Sequence, residues 1–177
     1  MTNSRPSIGI VGLSKRYPLI DKHPKWTFSN NNVLRRWFKN RIRGKTLHLC
    51  CGLTRFNMGE INVDISENSA ADIIADMFHL PFPDNSFDTV VSDPPYKLAY
   101  DKRHEFVKEI LRVIKKRRGS RILLKLDFIP YFKDFGLTEL HIYQGKRYWA
   151  HVSLLMMFEY GVSSEPEPLD KYLGDQE

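Results

Sequence analysis

A chain of 177 residues that is 42% hydrophobic, 27% charged and 12% aromatic is long enough for one core burying about 70% of its unfolded surface, and its composition excludes collagen-like, low-complexity and wholly disordered classes. The formal charge is +6, but 163–177 holds five acids against Lys171 alone, a net of −4, so the remainder carries +10, a surplus that favours a polyanionic partner over a merely solvated basic surface. No apolar run approaches the ~20 residues of a membrane helix and 8–13 is too short for a secretory signal, so the expectation is a cytoplasmic protein with no membrane partner.

Residues 1–32, with Pro6, Pro18 and Pro24 among many Asn and Ser, read as an irregular lead-in that wraps onto the core. Within it, 9–15 is only faintly like a phosphate loop: Ser14 stands where glycine should precede Lys15, and no Ser or Thr follows. Asn31 or Asn32 can cap a helix running to about 42, with Val33, Leu34, Trp37, Phe38 and Ile42 on its apolar face and Arg35, Arg36, Lys39 and Arg43 toward solvent. Short apolar runs at 46–51, 61–65, 71–75, 87–92 and 121–126 read as strands buried on both faces. The spacers 53–60 and 65–72 cannot hold full helices, so one face of the sheet is expected to be thinly covered, with Trp26 and Phe28 of the lead-in filling the gap. A helix is predicted over 102–116, where Phe106, Val107, Ile110, Leu111, Val113 and Ile114 keep the 3.6 period and Gly119 follows. A weaker helix over 127–135, interrupted near Pro130, leads into strands at 139–144 and 151–160 joined around Gly145. The expected class is α/β: about seven mostly parallel strands, an antiparallel C-terminal hairpin strand and shortened first helices.

Cys50 and Cys51 are adjacent and no other cysteine exists, so they staple no distant segments, are read as reduced, and give no tetrahedral zinc site. The sharpest chemical signal is Asp93-Pro94-Pro95-Tyr96, directly after the apolar run 87–92. Ligands of open α/β sheets sit outside the carboxyl ends of the strands. Two prolines there supply no amide donors and fix the backbone, which leaves carbonyls as acceptors and holds Asp93 and Tyr96 in place. An exocyclic amine is a poor nucleophile with two N–H groups as handles; the Asp93 carboxylate and the Pro94 carbonyl can accept both while Tyr96 stacks on the flat base. Upstream, 47–52 ends in a glycine turn, 61–65 contains Asp64 at its tip, and 71–77 contains Asp76. Acids at the second and third tips suit ribose hydroxyls and an adenine amine.

In this ordered set the stretch from 46 to about 121, and less strongly to 161, resembles class I S-adenosylmethionine-dependent methyltransferases of the amino-methylating, Asp-Pro-Pro-Tyr type, similar to adenine-N6 DNA and RNA enzymes. The resemblance implies a Rossmann-like sheet, S-adenosylmethionine as cofactor, and contacts to it at Cys50, Cys51, Gly52, Asp64, Ile65, Asp76 and Met77. It implies methyl transfer at Asp93, Pro94, Pro95 and Tyr96 to an amine, most often adenine N6 in DNA or RNA. It divides the chain into an N-terminal extension with a basic helix (1–45), a cofactor-binding catalytic domain (46–162) and an acidic, flexible tail (163–177). The family's glycine motif is reduced here: His48, Cys50, Gly52 and Thr54 occupy an acid and three glycine positions.

For nucleic acid, the expected contacts are Arg35, Arg36 and Lys39 on the basic helix and Lys146, Arg147 and Trp149, beside Tyr148, at the last turn; the second group reads equally as an ordinary hairpin. The basic run 115–118 with Arg121 and Lys125 either faces phosphates or complements a helix end. His48 reads as a structural histidine within a strand, whereas His79 and His104 flank the site. The chain is short for sequence recognition, so a protein partner or a homodimer would supply specificity, and DNA and structured RNA stay balanced. Cytosine N4, guanine N2 or protein glutamine are alternative acceptors, and a catalytically silent nucleic-acid-binding subunit of the same fold is the competing class.

Overall fold

The computed structural model describes residues 7–10, 32–145 and 151–162. In chain order its elements are β1 (Ser7–Ile10), α1 (Asn32–Lys39), β2 (Thr46–Leu49), β3 (Ile61–Asp64), β4 (Ile73–Ile74), β5 (Thr89–Ser92), α2 (Tyr96–Asp101), α3 (Arg103–Val113), β6 (Arg121–Leu126), β7 (Phe135–Gly145) and β8 (His151–Tyr160). The strands form one sheet of order β1-β7-β8-β6-β5-β2-β3-β4. Every neighbouring pair is parallel except those of β8 with β6 and β7. This is the mostly parallel sheet with an antiparallel C-terminal strand that the sequence predicts.

Alternation along the strands divides the apolar residues between two faces. On one, Leu47, Leu49, Val90, Ile122, Leu124, Met156 and Phe158 pack under Phe106, Ile110 and Val113 of α3. On the other, Val91, Leu123, Leu155 and Met157 meet Leu34, Trp37 and Phe38 of α1 and Ile42 just beyond it. The segments 50–60 and 65–72 contain no helix, as their lengths dictate.

Four local expectations are corrected. The lead-in carries β1, which pairs in parallel with β7 and makes an eighth strand. The run 71–75 shortens to Ile73–Ile74, because the Asp72 carboxylate accepts from the Asn62 amide (2.9 Å) and side chain (2.9 Å). No helix forms over 127–135; Pro130 has no donor and disfavours helical backbone before it, and β7 begins early, at Phe135, with an irregularity between Leu137 and Glu139. The unexpected α2 starts directly after Pro95, whose carbonyl accepts the Ala99 amide (3.0 Å); a proline at a helix entry is preset for that geometry. Trp26 and Phe28 lie outside the described residues. No described helix is long and apolar enough to cross a membrane.

Candidate active site

Asp93 follows the last residue of β5, and the register Ser92↔Leu124 brings the next residue of β6, Lys125, alongside it. Lys125 Nζ donates to both Asp93 oxygens (3.1 Å each) and to Tyr96 Oη (2.6 Å). Tyr96 Oη also shares a hydrogen bond with Ser153 Oγ (3.0 Å). The phenol is thus tied by its hydroxyl, with the Lys125 ammonium 5.1 Å from its ring centre. The Asp93 and Lys125 side chains are only 14% and 16% exposed. Burial pushes the Asp93 carboxyl above its ordinary range against the pull of Lys125. Burial of Lys125 would lower it, but Asp93 foremost and then Tyr96 hold it above its ordinary value, so it stays an ammonium.

The turn after β2 keeps a left-handed backbone at two positions, Cys50 (φ 57°) and Gly52 (φ 53°). Cysteine therefore adopts here the conformation for which glycine is usually needed. The Gly52 amide donates to Asp64 Oδ2 (2.8 Å), and the Ser66 amide donates to Asp64 Oδ1 (3.0 Å). Cys50 Sγ lies 3.5 Å from Met77 Sδ. Its thiol is pushed up by burial first, then by the Asp64 carboxylate, with Asp93 adding to the same effect. Cys50 therefore stands within electrostatic reach of the acids at the tips of β3 and β5. Cys51 is pushed up to about 12, chiefly by burial and then by Asp64. Both sulfurs are neutral thiols.

Asp76 turns inward on its own loop, its Oδ1 accepting the Phe78 amide (3.0 Å), with His79 Nδ1 3.7 Å from its other oxygen. That loop is pinned to α3: the Leu80 amide donates to Glu109 (2.7 Å), and Arg112 donates to the carbonyls of Leu80 (2.9 Å) and Phe82 (2.6 Å). Below the β2 turn, Glu60 accepts the amides of Phe56 (2.6 Å), Asn57 (3.0 Å) and Met58 (2.7 Å). Sequence reasoning missed Glu60, Glu109, Arg112 and Ser153. The i, i+3 spacing of Glu109 and Arg112 on a predicted helix was the one local signal. His48 is buried, its Nδ1 against Asn62 Oδ1 (3.1 Å), and burial lowers it to about 4, so it is the neutral structural histidine the sequence suggests.

The expected nucleic-acid contacts divide. Arg35 bonds the Arg55 carbonyl, while Arg36 is exposed and Lys39 half-buried on α1. Lys146, Arg147, Tyr148 and Trp149 lie outside the described residues. Within the run at 115–125, four cations are engaged by acids, whereas Lys116 and Arg118 are exposed and in no ion pair among the described residues. Lys115 and Arg117 pair with Asp88 (3.0 and 2.5 Å), Arg121 with Glu159 (2.7 Å) and Lys125 with Asp93. Pairing between strands distant in sequence brings the acids beside these cations, antiparallel for Arg121 and Glu159 and parallel for Lys125 and Asp93.

Residues 46–119 match the family described as a methyltransferase domain. Among solved structures, an S-adenosylmethionine-dependent methyltransferase from Methanosarcina mazei is similar with a TM-score of 0.53 at 11% identity, over 72% of this chain and 98% of that one. N-methyltransferase NodS from Bradyrhizobium japonicum WM9 gives 0.56 at 11%, over 74% and 98%, and TrmN from Thermus thermophilus 0.52 at 18%, over 72% and 47%. No curated protein matches at a significant level. The fold is that of a class I S-adenosylmethionine-dependent methyltransferase. S-adenosylmethionine is the cofactor that this fold and the matched methyltransferase domain point to. The residues present fit it. Asp64 is a strand-tip acceptor anchored to the turn by Gly52, and the next residue, Ile65, is 71% exposed, an acceptor beside an apolar face as a nucleoside requires.

Proposed function

We propose that this chain transfers a methyl group from S-adenosylmethionine to the exocyclic amine of a nucleic-acid base, adenine N6 in DNA or RNA first among them. The observation that carries the reading is the position of Asp93-Pro94-Pro95-Tyr96: it stands at the carboxyl tip of β5, beside the neighbouring tips of β2 and β3 that bear Cys50 and Asp64. The charge of +10 outside the acidic tail supports a polyanionic substrate.

Bound S-adenosylmethionine supplies the electrophilic methyl carbon. Asp64 would accept from its ribose hydroxyls, Ile65 and Met77 would hold its adenine, and the Cys50–Gly52 turn would hold its methionine moiety. Asp93 accepts one N–H of the substrate amine, and Lys125, holding both carboxylate oxygens, fixes where that acceptor points. The second N–H goes to the Pro94 carbonyl, since that of Pro95 is taken by Ala99. Two acceptors on one nitrogen would favour a pyramidal amine with its lone pair free for the methyl group. The methylated nitrogen then sheds its proton to water, so no strong base is required. Tyr96, tethered to Lys125 and Ser153, offers its ring as a fixed wall for the base.

Tritium-labelled methyl transfer to a panel of DNA, tRNA, rRNA and glutamine-containing peptides, followed by mass spectrometry of the products, tests this. Label in N6-methyladenine is expected. Label in N4-methylcytosine, N2-methylguanine or glutamine replaces the acceptor but keeps the amine chemistry. Label at a carbon or oxygen atom overturns the role of Asp93. No calorimetric heat of S-adenosylmethionine binding under varied conditions favours the silent subunit.

A further inference from the structure

Outside this site, α3 and the irregular segment after β6 enclose a groove of about 650 Å³. Its wall along α3 and just beyond is basic, with Arg103, His104, Lys108 and Arg112 on the helix and Lys116 after it, and no acidic residue lines the groove. Arg112 is committed to Glu109 and Asp84, but neither Lys108 nor Lys116 has a carboxylate within 4 Å among the described residues. The opposite wall carries Phe128 and Tyr131, and Tyr131 is 75% exposed. Paired cations facing an exposed aromatic suit phosphates on one side and a base on the other. The groove shares its Phe128 wall with elements that lead to the candidate active site. Phe128 lies edge-on against Tyr100 of α2 (5.4 Å, 79°), the helix that opens with Tyr96. Three residues before Phe128, Lys125 holds Asp93.

We propose that this groove takes a single-stranded stretch of nucleic acid flanking the target base, with its phosphates on Lys108 and Lys116 and a neighbouring base stacked on Tyr131. The proposal rests on the nucleic-acid reading above and deepens it. Single strands suit a pocket that must take a base out of its stack, and the wall of α3 gives them a path to it.

The test is fluorescence anisotropy of labelled single-stranded 15-mers of DNA and RNA across a salt series, with the full chain and two variants of exposed residues. Lys108→Ala/Lys116→Ala is expected to weaken binding and to lower the slope of log affinity against log salt by about 1.4, the share of two phosphate contacts on a single strand. Tyr131→Ala is expected to weaken binding about tenfold with that slope unchanged. Both variants should keep the wild-type calorimetric affinity for S-adenosylmethionine. Wild-type oligonucleotide binding in both variants overturns the groove while leaving base methylation standing. Loss of oligonucleotide binding in the variants, with no methyl ever entering a nucleic acid, keeps the groove and overturns the methylation reading. Displacement of the oligonucleotide by polyglutamate at equal charge concentration, with Tyr131→Ala binding like wild type, assigns the surface to an acidic protein and overturns the proposal.

Discussion

Between β2 and β3 the chain has eleven residues, 50–60, and no helix; between β5 and β6 it has twenty-eight, 93–120, and two helices. Parallel neighbours ordinarily need a dozen or more connecting residues, usually helical, because a helix satisfies its own amides. The short connection reaches the same end with a carboxylate: Glu60 takes the amides of Phe56, Asn57 and Met58, and Asp72 does likewise for Asn62. The long connection instead lays Phe106, Ile110 and Val113 on the sheet. One half of the strand tips is therefore held by buried apolar area and the other by ionised acids. The proposed roles follow the same division, with the amine site on the helical half and the cofactor acids on the other.

The sharpest way to separate the halves is chemical. Asp93→Ala should lower kcat by about 10²- to 10³-fold, the loss typical of one preorganised polar group at the reacting centre, with the calorimetric Kd for S-adenosylmethionine unchanged. Asp64→Ala should do the converse, weakening cofactor binding by about tenfold or more, since it removes a charged acceptor and frees the Gly52 amide. Full turnover by Asp93→Ala would break the division. Glu60→Ala strands three amides and should cost about 2–3 kcal/mol in urea unfolding, against under about 0.5 kcal/mol for a change such as Lys108→Ala on exposed α3 surface.

Acid should reveal the same contrast. Burial alone would raise Glu60, but its amide hydrogen bonds outweigh that and leave it below its ordinary value. Asp72 is held low by its bonds from Asn62, in spite of some desolvation, with Arg55 assisting. A depressed carboxyl stabilises fully above its unfolded pKa, about 4.3 for Glu and 3.9 for Asp, and that contribution drains away as pH falls through the lower folded value. Hydrogen exchange at the amides of Phe56, Asn57 and Met58 should accelerate in that window before the amides of α3 do. A small effect is also expected at Cys50→Gly: relief of φ 57°, worth about 1 kcal/mol, is largely offset by the lost sulfur contact with Met77, so stability should shift by less than about 1 kcal/mol.

How far the sequence foretells this molecule follows the range of the forces involved. Strands β2, β3, β5, β6 and β8 and helix α3 write their periods into neighbouring residues, and each was legible within a few positions. So was the strand-tip placement of Asp64 and Asp93, because a strand end is a local event. Glu60 was not: a carboxylate that folds back on amides two to four residues before it has no periodic signature. Lys125 was read as one of a basic run, since its partner is decided by β5 and β6 being neighbours, which no stretch of either strand states. The same holds for Lys115 and Arg117 on Asp88. The helix α2 was hidden by the two prolines that introduce it, which read as a turn until the residues after them are seen to close around the Pro95 carbonyl.

The vicinal cysteines bear on how the protein is handled. Alkylating reagents and disulfide exchange act on the thiolate, and Cys51 at about 12, beside a Cys50 pushed up still further, presents almost none at neutral pH. Iodoacetamide at pH 7.5 should therefore leave the proposed methyl transfer unaffected, and the protein should withstand purification in air without added reductant.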